Sequence, residues 1–245
     1  MSEKTIKSKT NPIIKKWVRL RSKREERLKE NAAIVIGSHV IRELISVLSP
    51  RLIIIRENAP IPKDAPWTRA SDEIIQKICA LPMLPDWIAE FPLPQNSSFD
   101  KCQRLLILDQ VKDPGNLGTI LRTSLAFGWH HIFLLNQSAD PFAPKALQAS
   151  KGACFRLNIK IGTIDDLKKI IAQNSLNVYI ADLKGAPPKT SNTIKPLALV
   201  LGSEVKGISE QMYQLGHKVS LPMTQESESL NVAIAGAILM YLWRA

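Results

Sequence analysis

The chain has 245 residues, 45% of them hydrophobic and 22% charged, with 16 prolines. That composition excludes a low-complexity or disordered polypeptide, and the length suits two compact units of roughly 100 to 150 residues. Lys and Arg outnumber Asp and Glu by 33 to 22, and residues 1–31 hold 11 basic against 4 acidic side chains, so +7 of the net +11 sits at the N-terminus. Such a cluster suits either a phosphate-backbone partner or a solvated basic helix. Cys79, Cys102 and Cys154 lie far apart, with no C-x-x-C and no His at ligand spacing. This argues against a metal site or a disulfide framework and for a reducing, cytoplasmic compartment. The longest apolar run, Val232 to Trp243, is too short for a bilayer span, and the Lys-rich start lacks the apolar core of a signal peptide. No membrane association is expected. An organellar targeting segment stays open, because Glu3 is the one acidic group in residues 1–24.

Asn11 before Pro12 predicts a helix start, and Ile13, Ile14, Trp17, Leu20 and Leu28 recur behind it at helical spacing. Lys15, Lys16, Arg19 and Arg24 fall on the other faces and are the candidates for contact with a phosphate backbone. Segments 33–36 and 52–55 predict buried strands, with a helix over 39–48 between them. Prolines crowd residues 59–94, leaving room for short helices, the best over 68–78. The polar, aperiodic stretch 92–102 is the expected linker, dividing a unit over 1–95 from one over 104–245. Beyond it, strands predicted at 105–108, 131–135, 178–181, 197–201 and 218–221 alternate with helices at 117–127, 164–172, 208–215 and 229–242. Continuous apolar strands in that alternation imply an α/β fold with a mostly parallel sheet covered on both faces.

Three segments carry candidate chemistry. In 108–128 a strand ends at Asp109, a Pro-Gly turn follows, and a helix opens near Asn116. Helix starts favour anions, and Arg122 projects from the buried stripe as either an ordinary surface group or a phosphate ligand. In 197–209 an apolar strand runs into Gly202, Ser203 and Glu204, at the strand end where open α/β sheets bind ligands. In 220–243 a polar loop leads to Ser229, Leu230 and Asn231, where Ser229 is either a helix N-cap or a site residue.

Together and in this order, the segments resemble the three signature motifs of the SpoU family, also called the TrmH family. The matching pieces are Asn116 and Arg122 in N-x5-R, Leu201 to Gly207 in L-G-S-E-x-x-G, and Pro222-Met223 followed by Ser229-Leu230-Asn231. Residues 104–245 match well, and residues 11–58 resemble, more loosely, an L30e-like RNA-binding domain. Val205 and Gln225 depart from the pattern, standing where the family usually has Gly in loops that border the cofactor.

The resemblance implies a trefoil-knotted SPOUT fold and transfer of a methyl group from S-adenosyl-L-methionine to a ribose 2′-OH in structured RNA, rRNA ahead of tRNA. It implies a cofactor site at Leu201, Gly202, Leu221, Met223 and Leu230. It further implies catalytic or orienting roles for Asn116, Arg122, Glu204, Ser229 and Asn231. A chain that keeps the knot but has lost turnover, acting as an RNA-binding assembly factor, is the alternative that Val205 and Gln225 motivate.

The last helix is apolar all round, which predicts a second burial partner and hence a homodimer. Projection at 100° per residue puts Leu230, Ile234, Ala237, Ile238 and Tyr241 on the face toward its own sheet. Val232, Gly236, Leu239 and Trp243 then face the partner. The family resemblance also implies dimerisation through this region.

Overall fold

A computed structural model describes residues 5–63, 65–95, 98–189, 196–224, 226 and 228–244. The chain forms two sheets joined by segment 93–103. The first unit contains β1 (Thr5–Ile6), α1 (Pro12–Ser22), α2 (Arg24–Glu30), β2 (Ala32–Ile36), α3 (Ser38–Ile45), β3 (Leu52–Arg56), β4 (Trp67–Ala70), α4 (Asp72–Cys79) and β5 (Trp87–Pro92). Its mixed sheet runs β1-β4-β3-β5-β2. The second contains β6 (Arg104–Asp109), α5 (Pro114–Ala126), β7 (His131–Leu135), α6 (Pro144–Ser150), a 3-10 turn (Ala153–Arg156), β8 (Asn158–Gly162), α7 (Ile164–Gln173), β9 (Asn177–Ala186), β10 (Leu197–Gly202), α8 (Glu210–Tyr213), β11 (His217–Val219) and α9 (Val232–Leu242). Its six strands lie in the order β11-β9-β10-β6-β7-β8, and every pair is parallel.

β6 and β10 are buried along almost their whole length, as their unbroken apolar runs require of central parallel strands. One face of each sheet contributes to a shared core, while the opposite faces carry clusters of their own. Val35, Ile41, Leu44 and Phe91 from the first pack in one cluster with Leu117, Leu147 and Phe155 from the second. Across this junction Arg27, 5% exposed, pairs with Asp140 at 2.5 Å and also donates to the Leu20 and Arg21 carbonyls.

Several expected elements are corrected. The N-terminal helix breaks at Lys23, whose backbone is extended, and Leu28 on the second piece is 62% exposed rather than part of a buried stripe. The expected helix over 68–78 is strand β4 followed by α4, whose first residue is Asp72. Interior strand β5 lies inside the proline-rich region, because Pro85 precedes its ladder and Pro92 ends it, so neither interrupts it. Strand β8 and helix α6 were not expected. The last helix starts at Val232, with Asn231 rather than Ser229 as its cap.

The two faces of α9 are also reversed. Val232, Ala233, Gly236, Leu239, Met240 and Trp243 are buried, whereas Leu230, Ile234, Ile238 and Tyr241 are 37%, 51%, 39% and 49% exposed. A Cβ on Gly236 would come within 2.5 Å of Leu201 Cδ1, so the helix meets β10 through its smallest residue. Periodicity could not choose between two apolar faces. The room beneath β10 did.

Candidate active site

At the carboxyl ends of β9, β10 and β11 the loops enclose a cavity of about 660 Å³. All five residues expected to hold the cofactor line it: Leu201, Gly202, Leu221, Met223 and Leu230. Leu201 and Leu239 form buried apolar wall, and the backbone of Leu221 and Met223 passes the cavity outside any strand or helix. Below Gly202 the segment 203–207 folds back, with Ser203 and Gly207 exchanging backbone hydrogen bonds of 3.0 and 2.8 Å. A Cβ on Gly202 would stand 2.6 Å from the Gly207 oxygen, so this position needs glycine to close the loop. Val205 at the loop tip is 92% exposed and is not among the lining residues, so its side chain does not fill the space. Gln225 lies outside the described residues.

Three of the expected catalytic residues meet at the edge of this cavity. Asp113 caps α5 through the Asn116 N–H at 2.8 Å, with Pro114 at the first helical position. The Lys145 ammonium, at 2.8 Å, together with that cap holds the Asp113 carboxyl below its ordinary range. Thus fixed, Asn116 donates from Nδ2 to Glu204 Oε1 at 2.5 Å and accepts at Oδ1 from Asn231 Nδ2 at 3.1 Å. Asn231 at the same time accepts the Ala233 N–H at 2.8 Å as the cap of α9. One hydrogen-bonded chain therefore ties together the three separated segments. Ser229 lines the cavity alongside Glu204 and Asn231.

Arg122 stands elsewhere. Six residues at 100° each turn it about 120° round α5 from Asn116, and it opens onto a second cleft with His39, Glu43, Lys151 and Arg156. The four residues of the basic helices divide as well. Lys15 and Arg24 are exposed, whereas Lys16 pairs with buried Glu90 at 2.7 Å and Arg19 with Glu26 at 3.2 Å.

Sequence reasoning missed a polar group on the far cavity wall. Asp182 accepts from the Tyr213 hydroxyl at 2.5 Å and from the Lys184 N–H at 2.7 Å, and Lys218 lies over the Tyr213 ring. Desolvation pushes the Asp182 carboxyl up, but these hydrogen bonds and Lys218 outweigh it and hold the group below its ordinary range. The hydrogen bond to Asp182 in turn pushes Tyr213 up to about 12. The residues 178–213 carry no local pattern that would have paired these two. Asp109, 1% exposed, was missed too: its Oδ2 accepts the Ser209 N–H at 2.7 Å, tying β6 to the start of α8.

Residues 103–241, more than half the chain, match the family model described as the SpoU rRNA methylase family. The chain belongs to that family. The 23S rRNA (guanosine(2553)-2′-O)-methyltransferase RlmP of Bacillus subtilis is 28% identical, over 97% of this chain and 98% of its own. A solved TrmH-family structure from Porphyromonas gingivalis is 34% identical, covers 96% of this chain and 98% of its own, and superposes with a TM-score of 0.81. An AdoMet-bound rRNA methyltransferase from Sinorhizobium meliloti shares the fold at 23% identity, with a TM-score of 0.84 over 98% of this chain and 97% of its own. As a SpoU family member in the SPOUT superfamily, the chain is an RNA methyltransferase whose methyl donor is S-adenosyl-L-methionine. The apolar walls and exposed loop backbone of the cavity fit a nucleoside-bearing donor of that kind. Among the described residues no cluster of three potential ligands could hold a metal ion, and no helix is long and apolar enough to cross a membrane.

Proposed function

We propose that this chain methylates a ribose 2′-OH of ribosomal RNA, working as a homodimer. The observation that carries the reading is the Asn116–Glu204–Asn231 chain at the edge of a cavity lined by every residue expected to hold the cofactor. End-to-end similarity to a 23S rRNA 2′-O-methyltransferase favours rRNA over tRNA. Bound in the cavity, S-adenosylmethionine supplies a methyl group already activated by its sulfonium. Leu201, Leu221 and Leu239 would give its adenine apolar cover, and the backbone around Leu221 and Met223 would offer it polar groups. Glu204, held by Asn116, accepts a hydrogen bond from the ribose hydroxyl and orients it, and positioning supplies most of the rate. Arg122 binds substrate phosphate: a guanidinium keeps its proton to a pKa above ~12, which suits it poorly to act as a base.

The first unit serves as the L30e-like RNA-binding domain, with Lys15 and Arg24 free for long-range attraction. We read the return of the chain from β11 past the cavity to α9 as the threading of the family knot. Leu230, Ile234, Ile238 and Tyr241 form an apolar strip that a second copy covers, and Leu230 also lines the cavity, so dimerisation borders the site.

The test is methyl transfer from labelled S-adenosylmethionine to unmodified 23S rRNA, 16S rRNA and tRNA transcripts, with mapping of the 2′-O-methyl position. Label confined to 23S rRNA is expected. Label confined to tRNA would overturn the substrate. Cofactor binding without transfer to any RNA would favour the assembly factor.

A further inference from the structure

The second cleft, of about 290 Å³, lies between the two units: α3 of the first supplies His39 and Glu43, and α5 with the turn after α6 supplies Arg122, Lys151 and Arg156. We propose that this cleft seats the sugar-phosphate backbone of the RNA, gripping it with both units at once. This rests on the reading of the chain as an RNA methyltransferase and adds, to the motif residue Arg122, a part of the substrate surface that the motifs do not contain: Lys151, Arg156 and the wall of α3. Arg122, Lys151 and Arg156 are exposed, and none of their side chains has an ion pair or hydrogen bond to another described residue, whereas Glu43 has His39 at 3.6 Å. Three cations face one carboxylate, so the cleft favours an anion, and its low-dielectric walls focus that field.

The shape is set before any ligand arrives. Lys151 and Gly152 both take left-handed backbone conformations, at φ 51° and 77°, turning the chain sharply after α6. A Cβ on Gly152 would sit 3.1 Å from both Leu44 and Val40, so this turn packs directly on α3. The shared core and the buried Arg27–Asp140 pair then hold the walls at a fixed spacing. A preformed cationic cleft loses little on binding, and guanidinium groups match phosphate oxygens two at a time. Arg122 links it to the reaction, since it stands on the helix that carries Asn116, about 9 Å further along at 1.5 Å per residue.

The experiment compares wild type with the double variant Lys151→Asn, Arg156→Gln, binding unmodified 23S rRNA transcript across a salt series. Asn tolerates the left-handed backbone at 151. Loss of two phosphate contacts is expected to weaken binding and lower the log–log salt slope by about 1.4 to 1.8, with S-adenosylmethionine affinity unchanged. Wild-type affinity and slope in the variant would overturn the cleft while leaving the methyltransferase reading intact. A wild-type chain that binds no RNA would overturn both. If the variant does not fold, photo-crosslinking of 4-thiouridine-substituted transcript to wild type decides: adducts at 39, 122, 151 or 156 are expected, and adducts confined to other surfaces would overturn the proposal.

Discussion

In the first unit several of the basic residues are committed to the protein itself. Lys16 and Arg51 converge on Glu90, Arg19 pairs with Glu26, Arg21 donates to the end of α4, and Arg27 reaches across to Asp140. In the catalytic unit the sheet is held by apolar strands, and Arg122, Lys151 and Arg156 carry no such pairs with described residues. Part of the positive charge of the first unit is therefore already neutralised within the protein, whereas that of the three cleft cations is not neutralised by any described residue. A charge sum says how strongly a region attracts phosphate only after internal ion pairs are subtracted.

The largest expected effect breaks the link between the units. Asp140→Ala leaves the Arg27 guanidinium buried without its partner, which should cost about 3–5 kcal/mol in urea unfolding. A loss below about 1 kcal/mol would mean that the shared apolar core alone holds the units together. Next, Asn116→Ala should separate chemistry from binding. With Glu204 and Asn231 no longer joined, kcat should fall about 100-fold while S-adenosylmethionine affinity holds, because Asn116 lies outside the cavity lining. An equal fall in cofactor affinity would place the network in binding instead.

A smaller effect concerns the apolar strip. Ile238→Glu adds a charge to the surface that the proposed second copy would bury, so wild type should sediment as a dimer and the variant as a folded monomer. Identical sedimentation of the two would remove α9 from the interface. The smallest is spectroscopic. Tyr213 should ionise at about 12, so its hydrogen bond to Asp182 contributes stability that is complete below the ordinary tyrosine range near 10 and is lost as pH rises through about 12. Absorbance titration of Tyr213→Phe should lack that last step, and an unchanged curve would disprove the assignment.

That Leu201, Gly202, Leu221, Met223 and Leu230 line one cavity was expected only through the family resemblance; the local pattern by itself offered a strand ending at Leu201 and Gly202 and a polar loop before Leu230. The meeting of Asn116, Glu204 and Asn231 was legible only through the family resemblance, since they stand 88 and 115 positions apart. Strand β5 was hidden because its ladder partners are distant in sequence and its prolines sit at its ends. Tertiary packing alone decided where Arg122 points. Its helical position sets the turn from Asn116, but the cleft it faces is built from α3, a separate segment laid against Gly152. It decided the buried face of α9 as well. The sequence determined that this helix is apolar on both sides, and the close approach of Gly236 to Leu201 selected the face that lies against β10.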